Sequence, residues 1–140
     1  MKDLANVITP KRVLSPVSTD ADTALVGEII DKKGFESVTY VIATGSIGDA
    51  NATFTVLLEE GDAAAMGDAT AVADADLLGT EALASFIFSD DNKCFKLGYI
   101  GSKRYTRLTI TPVANASAAL LSAVAVLGHP QIAPTINPPV

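Results

Sequence analysis

Nucleophilic and metal chemistry have little to work with in this chain. Its one histidine, His129, stands against Pro130, and its one cysteine, Cys94, opens a strand-like run. A hydrolytic triad needs a base beside its nucleophile, and a zinc site needs several His, Cys or carboxylate ligands. A single copy of each soft ligand supplies neither. Carboxylates are plentiful, with Glu59 beside Glu60, Asp74 near Asp76 and Asp90 beside Asp91. Two carboxyl groups do acid–base work in a cleft that drives their pKa values apart, whereas these pairs fall where the chain turns. Oxygen ligands at Asp20 and Asp22 and at Asp74 and Asp76 would suit calcium, but the EF-hand spacing is absent. Gly98-Tyr99-Ile100-Gly101 lacks the lysine-serine or lysine-threonine ending of a phosphate loop. The expectation is a protein that is not an enzyme and takes no cofactor and no metal.

Charge is the stronger signal. Residues 93–111, KCFKLGYIGSKRYTRLTIT, hold half of the ten lysines and arginines. Lys96, Lys103, Arg104 and Arg107 in this stretch are candidate interface residues. Residues 34–92 contain acids but no lysine or arginine, and from Lys93 onward there is no acid. One reading is two solvated faces of one domain; the sharper one is a basic segment that meets an acidic neighbour or a second copy's acidic loop. A chain of net charge −6 lacks the basic surplus that drives phosphate binding, so no nucleic-acid partner is expected. No apolar run is long enough for a membrane-spanning helix, and the start, MKDLANVITPKR, lacks the plan of a signal peptide. A soluble product with no membrane partner is expected.

The elements that carry these residues read as strands. Phe95, Leu97 and Tyr99 alternate with Lys96 and Gly98, and Thr106, Leu108 and Ile110 alternate with Tyr105, Arg107 and Thr109. A repeat of two places one set on a buried face, and Gly101-Ser102 between the runs suits a tight turn. The stretch reads as a β-hairpin. Val38, Tyr40 and Ile42 mark a second strong strand and Phe54, Val56 and Leu58 a third. Residues 23–30 form another strand candidate, closed by the turn signal Asp31-Lys32-Lys33-Gly34. The alanine-rich, acidic stretch 63–82 reads as loop with short strands near Ala71-Val72 and Asp76-Leu77-Leu78 and one helical turn around 63–66. Residues 84–88 read as a strand. Residues 118–127, AALLSAVAVL, fit a buried helix or a strand by periodicity, and their valines and β context favour the strand.

The chain therefore divides into an arm at 1–22 with room for one edge strand, a β-sandwich domain at 23–129, and an extended tail at 130–140. The fold class is all-β, an antiparallel β-sandwich of jelly-roll type with extended proline-bearing N- and C-terminal arms. In the tail, Ile132, Ile136 and Val140 recur every four residues without a core of their own, and are candidate anchors for a neighbouring subunit.

The string Gly98-Tyr99-Ile100-Gly101-Ser102-Lys103-Arg104-Tyr105, the alternating residues 107–111 and the closing Leu127-Gly128-His129-Pro130 resemble a family of small head proteins of tailed bacteriophages, the capsid decoration or cement proteins. Residues 34–40, GFESVTY, resemble that family's first core strand. The resemblance implies a jelly-roll-like sandwich on the outer surface of the capsid, made in the bacterial host cytoplasm. Its partners would be the major capsid protein and itself, as a homodimer or homotrimer. A carbohydrate- or receptor-binding module on the virion is the alternative, and it would need exposed aromatics around a loop cleft.

Overall fold

The computed structural model describes residues 2–137. Among them, strands run in chain order as β1 (Ile8–Thr19), β2 (Leu25–Val26), β3 (Ile30–Asp31), β4 (Phe35–Ile47), β5 (Thr53–Gly61) and β6 (Thr70–Ala71). They continue as β7 (Leu77–Leu78), β8 (Phe86–Ile87), β9 (Cys94–Tyr99), β10 (Tyr105–Val113) and β11 (Ala119–Pro130). Two 3-10 turns, Ala5–Val7 and Asp74–Asp76, and one α-helical turn, α1 (Glu81–Ala84), complete the described elements; α1 is capped by the Thr80 hydroxyl, which accepts from the Leu83 N–H.

Two antiparallel sheets result. The first has the order β1-β11-β4-β9-β7; the second has β2-β10-β5-β6, with β3 also on β10 and β8 also on β5. If β2 and β3 share one position and β6 and β8 another, the chain order maps onto the double Greek key of a jelly roll. The last strand, β11, pairs with the first, β1, and with β4.

Alternation decides what enters the core. Val38, Tyr40 and Ile42 of β4 and Phe54, Val56 and Leu58 of β5 face inward, at no more than 1% exposure. β11 turns Ala123, Ala125 and Leu127 inward. Its alanines sit beside large neighbours in register, Ala125 against Tyr40 and Ala123 against Ile42, so small and large side chains fill the layer together. That is why an alanine-rich run is a central strand here. A Tyr40 hydroxyl to Thr106 Oγ1 hydrogen bond of 2.6 Å ties the first sheet to the second. The rings of Phe54, Phe86 and Phe95 stack across the layers, with centroids 4.8 and 5.7 Å apart.

The structure corrects the hairpin. β9 pairs with β4 and β7 in the first sheet, whereas β10 pairs with β5, β2 and β3 in the second. The link between them is an arch from one sheet to the other, wound on the buried Tyr99 ring. The Tyr99 hydroxyl accepts the Lys103 N–H at 3.0 Å and donates to Glu60. Gly101 lies so close over the ring that a Cβ would stand 2.5 Å from the hydroxyl oxygen. The Ile100 N–H is taken by the Asp76 carbonyl at 2.9 Å, a partner a hairpin would not need. Alternation shows that one face is buried; it does not name the strand alongside.

Residues 23–30 also differ from one strand. They are split at Gly27, whose N–H bonds the Leu108 carbonyl at 2.8 Å while the next N–H, of Glu28, bonds the Val13 carbonyl at 3.0 Å. The chain thus touches both sheets as it passes between them, and a Cβ at Gly27 would meet Leu108 O at 2.6 Å. The strand read at 84–88 shortens to β8. The helical turn lies at 81–84, where Thr80 caps it, and residues 63–66 form a simple turn. The turn before β4 is as expected: the Phe35 N–H returns to the Lys32 carbonyl at 2.9 Å, and Gly34 takes a φ of 88°.

Candidate interaction surface

Three of the four candidate cations have acidic partners within the chain. Arg104 forks onto Asp31, Nε to Oδ1 at 2.9 Å and Nη2 to Oδ2 at 2.8 Å. Lys103 reaches Asp62 at 2.6 Å, and Arg107 reaches Glu59, its direct cross-strand neighbour, at 3.1 Å. The Arg104 guanidinium holds the Asp31 carboxyl below the usual range. Lys32 closes the same end of the sandwich, donating to the Gly101 carbonyl at 2.7 Å above the Tyr99 ring. Burial pushes its ammonium down, and burial together with Glu60 pushes the Tyr99 phenol up. Lys96 differs from these: it points outward from β9, exposed, and has no ion-pair partner among the described residues.

The acidic block has its own work. Asp49 accepts the N–H groups of Asn51 and Ala116, and Asp68 accepts those of Asp62 and Ala63. Asp91 takes the Ile47 N–H at 2.9 Å, Asp22 the Asn115 N–H at 2.7 Å, and Glu81 the Leu58 N–H at 2.7 Å. Loop and edge amides that lack a strand partner are thus satisfied by carboxylates. The hydrogen bonds lower the carboxyl groups of Asp49 and Asp68. Sequence reasoning missed this role; an aspartate two residues before an asparagine, as at Asp49 and Asn51, is the local signal for it.

His129 has left-handed backbone, at a φ of 51°, and its Nδ1 lies 2.9 Å from the Ser37 hydroxyl. A Cβ at Gly128 would crowd that hydroxyl at 2.8 Å, which gives Leu127-Gly128-His129-Pro130 a packing role. Cys94 is exposed at the start of β9. Among the described residues no group of His, Cys, Asp and Glu could hold a metal ion, and no helix is long and apolar enough to cross a membrane. The larger aromatics are mostly core: Tyr40, Tyr99, Phe54 and Phe86 are buried, and Phe88 is the outlier at 41% exposure.

The tail leaves β11 at Pro130 and turns back beside the N-terminal segment. The Gln131 N–H bonds the Gly34 carbonyl, and the Thr135 N–H bonds the Asn6 carbonyl, both at 2.9 Å. The Thr135 hydroxyl donates to the Ile8 carbonyl at 2.7 Å. Ile132 and Ile136 project at 83% and 78% exposure beside a cavity of about 380 Å³ whose floor includes Phe35 and Pro130. Val140 lies outside the described residues.

No protein-family model matches the chain, and no curated protein does. Among solved structures, the fold is similar to that of the PBSX exported protein XepA, with a TM-score of 0.59 at 14% identity. The match covers 100% of this chain and 43% of XepA, so the chain spans less than half of that protein. A protein of Bacillus endospore appendages aligns at 14% identity and a TM-score of 0.47, over 91% of this chain and 96% of that one. The SPBc2 prophage-derived protein YomS aligns at 12% and 0.36, over 85% and 92%. At such identities the first likeness speaks for the sandwich fold alone.

Proposed function

We infer that this chain is a structural β-sandwich of a phage virion, a cement protein that binds the outside of the icosahedral head and ties neighbouring major capsid protein subunits together. The observation that carries this reading is the pair Ile132 and Ile136, held out of the core on a tail that is itself pinned by its backbone. Apolar side chains in that position are anchors for a surface outside the domain, and the pinning lowers the entropy lost on docking. The resemblance of residues 98–105 and 127–130 to phage decoration proteins supports the same role, and the sandwich fold shared with an exported protein of PBSX is compatible with it. The chain assembles as a dimer or trimer to match a local symmetry axis of the head. Lys103, Arg104 and Arg107 keep exposed edges at the rim of this assembly while bonding their own acids.

Co-sedimentation with empty heads of the major capsid protein tests the role, with light scattering for the free protein. The full chain is expected to pellet with heads and raise their heat resistance. Removal of residues 131–140 should lower both while the free protein's fold persists. A full chain that stays in the supernatant would overturn the reading, and undiminished binding by the truncated form would remove the tail from it.

A further inference from the structure

An exposed strand edge invites pairing with another chain, and this sandwich guards the edges of β1 and β5. β1 carries Pro10 and Pro16 and shifts register twice. Its Val13 carbonyl takes the Glu28 N–H at 3.0 Å, and its Ile8 carbonyl takes the Thr135 hydroxyl at 2.7 Å. Along β5, the strands β6 and β8 pair with the two ends. Between them Glu81 takes the Leu58 N–H at 2.7 Å, Ser85 Oγ takes the Val56 N–H at 3.0 Å, and the Leu58 carbonyl takes the Val72 N–H at 3.0 Å.

β9 is left open over its first half. The Thr44 N–H bonds the Lys93 carbonyl at 2.9 Å, so residues 93, 95 and 97 exchange hydrogen bonds with β4, and Cys94 and Lys96 turn theirs the other way. On that side β7 reaches only Gly98 and Tyr99. At Gly79, with a φ of 89°, the chain leaves the lane beside β9 and enters α1. Among the described residues no hydrogen bond reaches the N–H or C=O of Cys94 or Lys96. Both residues are exposed, and the Lys96 ammonium has no ion-pair partner among the described residues. Apolar side chains flank the open lane: Leu78 at the end of β7 is 59% exposed, and Leu83 of α1, which packs against β9, is 74% exposed. Phe95, between the two open residues, turns inward onto Phe86.

We propose that the open edge of β9 takes a short extended segment of the major capsid protein as an added strand, and that this segment carries a carboxylate opposite Lys96. The two N–H and two C=O groups of Cys94 and Lys96 supply the backbone pairing. Alternation sets the rest: the incoming residue beside Phe95 faces inward and is apolar, and the one beside Lys96 faces outward and is acidic. A second copy fits this edge poorly. Two β9 edges paired about Phe95 would set Asn92 of one against Gly98 of the other, where Leu78 already lies. The extended segment 131–137 of a copy has no acid for Lys96, and its backbone is bonded to Gly34 and Asn6 of its own chain. Lys96 thus discourages pairing between copies while drawing an acidic strand. The inference rests on the attachment role proposed above and names the edge that attaches.

Empty heads of the major capsid protein are the probe, with dissociation constants read by co-sedimentation and amide hydrogen exchange followed on the bound protein. The Cys94 and Lys96 amides should exchange quickly in the free protein and at least roughly tenfold more slowly on heads. Cys94→Pro removes an edge N–H that no bond within the domain uses, at the first residue of a strand where proline is tolerated, and should weaken binding roughly tenfold. Cys94→Ala, which keeps the N–H, should stay within about twofold. Lys96→Glu should weaken binding several-fold and flatten its salt dependence. Melting temperatures check that each variant is folded, and the exchange measurement on the wild type needs no variant. If the wild type binds without slowing these amides and Cys94→Pro binds equally well, the edge is wrong and attachment stands. If Cys94→Pro weakens binding and Lys96→Glu does not, the acidic occupant is overturned. If the wild type does not bind, attachment fails and takes this edge with it. If Cys94→Pro dissociates an oligomer of the free protein, the occupant is a second copy and the proposal is overturned.

Discussion

Tyr40 is the residue on which the join between the two sheets turns. Its phenol is buried, and burial pushes it up from its ordinary value; its one polar partner is Thr106, itself without exposure. Tyr40→Phe leaves the Thr106 hydroxyl without a partner in the core, and should cost about 1–3 kcal/mol in denaturant unfolding. Adding Thr106→Val removes the orphaned group and should recover most of that loss. A double variant no more stable than the single one would show that ring packing, not the hydroxyl pair, carries the effect. Asp31 offers a pH test. Its folded carboxyl is held below the ordinary value by Arg104, so the stability it contributes is full above the unfolded pKa of about 3.9 and is lost as pH falls through the folded one. Wild type and Arg104→Gln should therefore melt at different temperatures at neutral pH and converge in strong acid. A gap independent of pH would assign Arg104 a packing role instead.

At the scale of elements, the arch between β9 and β10 is the decisive feature. It works because Gly101 can lie on the Tyr99 ring and because Lys32, Asp76 and Glu60 collect its polar groups. Gly101→Ala should lower stability by about 1–3 kcal/mol through overpacking. Gly67→Ala, where an added Cβ meets nothing within 4 Å, should be near neutral in the same thermal scan. Equal effects of the two would mean that the arch tolerates a shifted ring. The tail is a second element whose behaviour follows from bonds to distant segments: it runs beside Asn6 and Ile8 rather than away from the domain.

At the scale of the whole molecule, the described ends of the chain lie side by side, since Thr135 bonds both Asn6 and Ile8. A circular permutant that joins residues 137 and 2 through a short glycine-serine linker and opens at the exposed Gly67 should fold and melt cooperatively. Circular dichroism would check it, and an unfolded permutant would show that chain order, not only contacts, is needed for the jelly roll. The pairing of β1 with β11 joins Ile8 to Gly128, nearly the whole chain apart. Folding on the millisecond-to-second scale of non-local β proteins is therefore expected in stopped-flow experiments.

By itself the sequence determined which face of four strands is buried and that the fold is a β-sandwich, while Val13, read as part of an arm, lies in the core. The alternation in 38–42, 54–58, 95–99 and 106–110 is a local property, because successive side chains of any extended chain face opposite ways. Turn chemistry at Asp31-Lys32-Lys33-Gly34 is local too. Tertiary structure alone decided which strands are neighbours. The partners of Arg104, Arg107 and Lys103 lie 73, 48 and 41 positions away, and β9 and β10, adjacent in sequence, belong to different sheets. Period-two patterning leaves strand order open because every strand with one buried face carries the same pattern. Long-range packing, with Tyr99 filling the arch and Ala125 making room for Tyr40, selects among the orders that pattern allows.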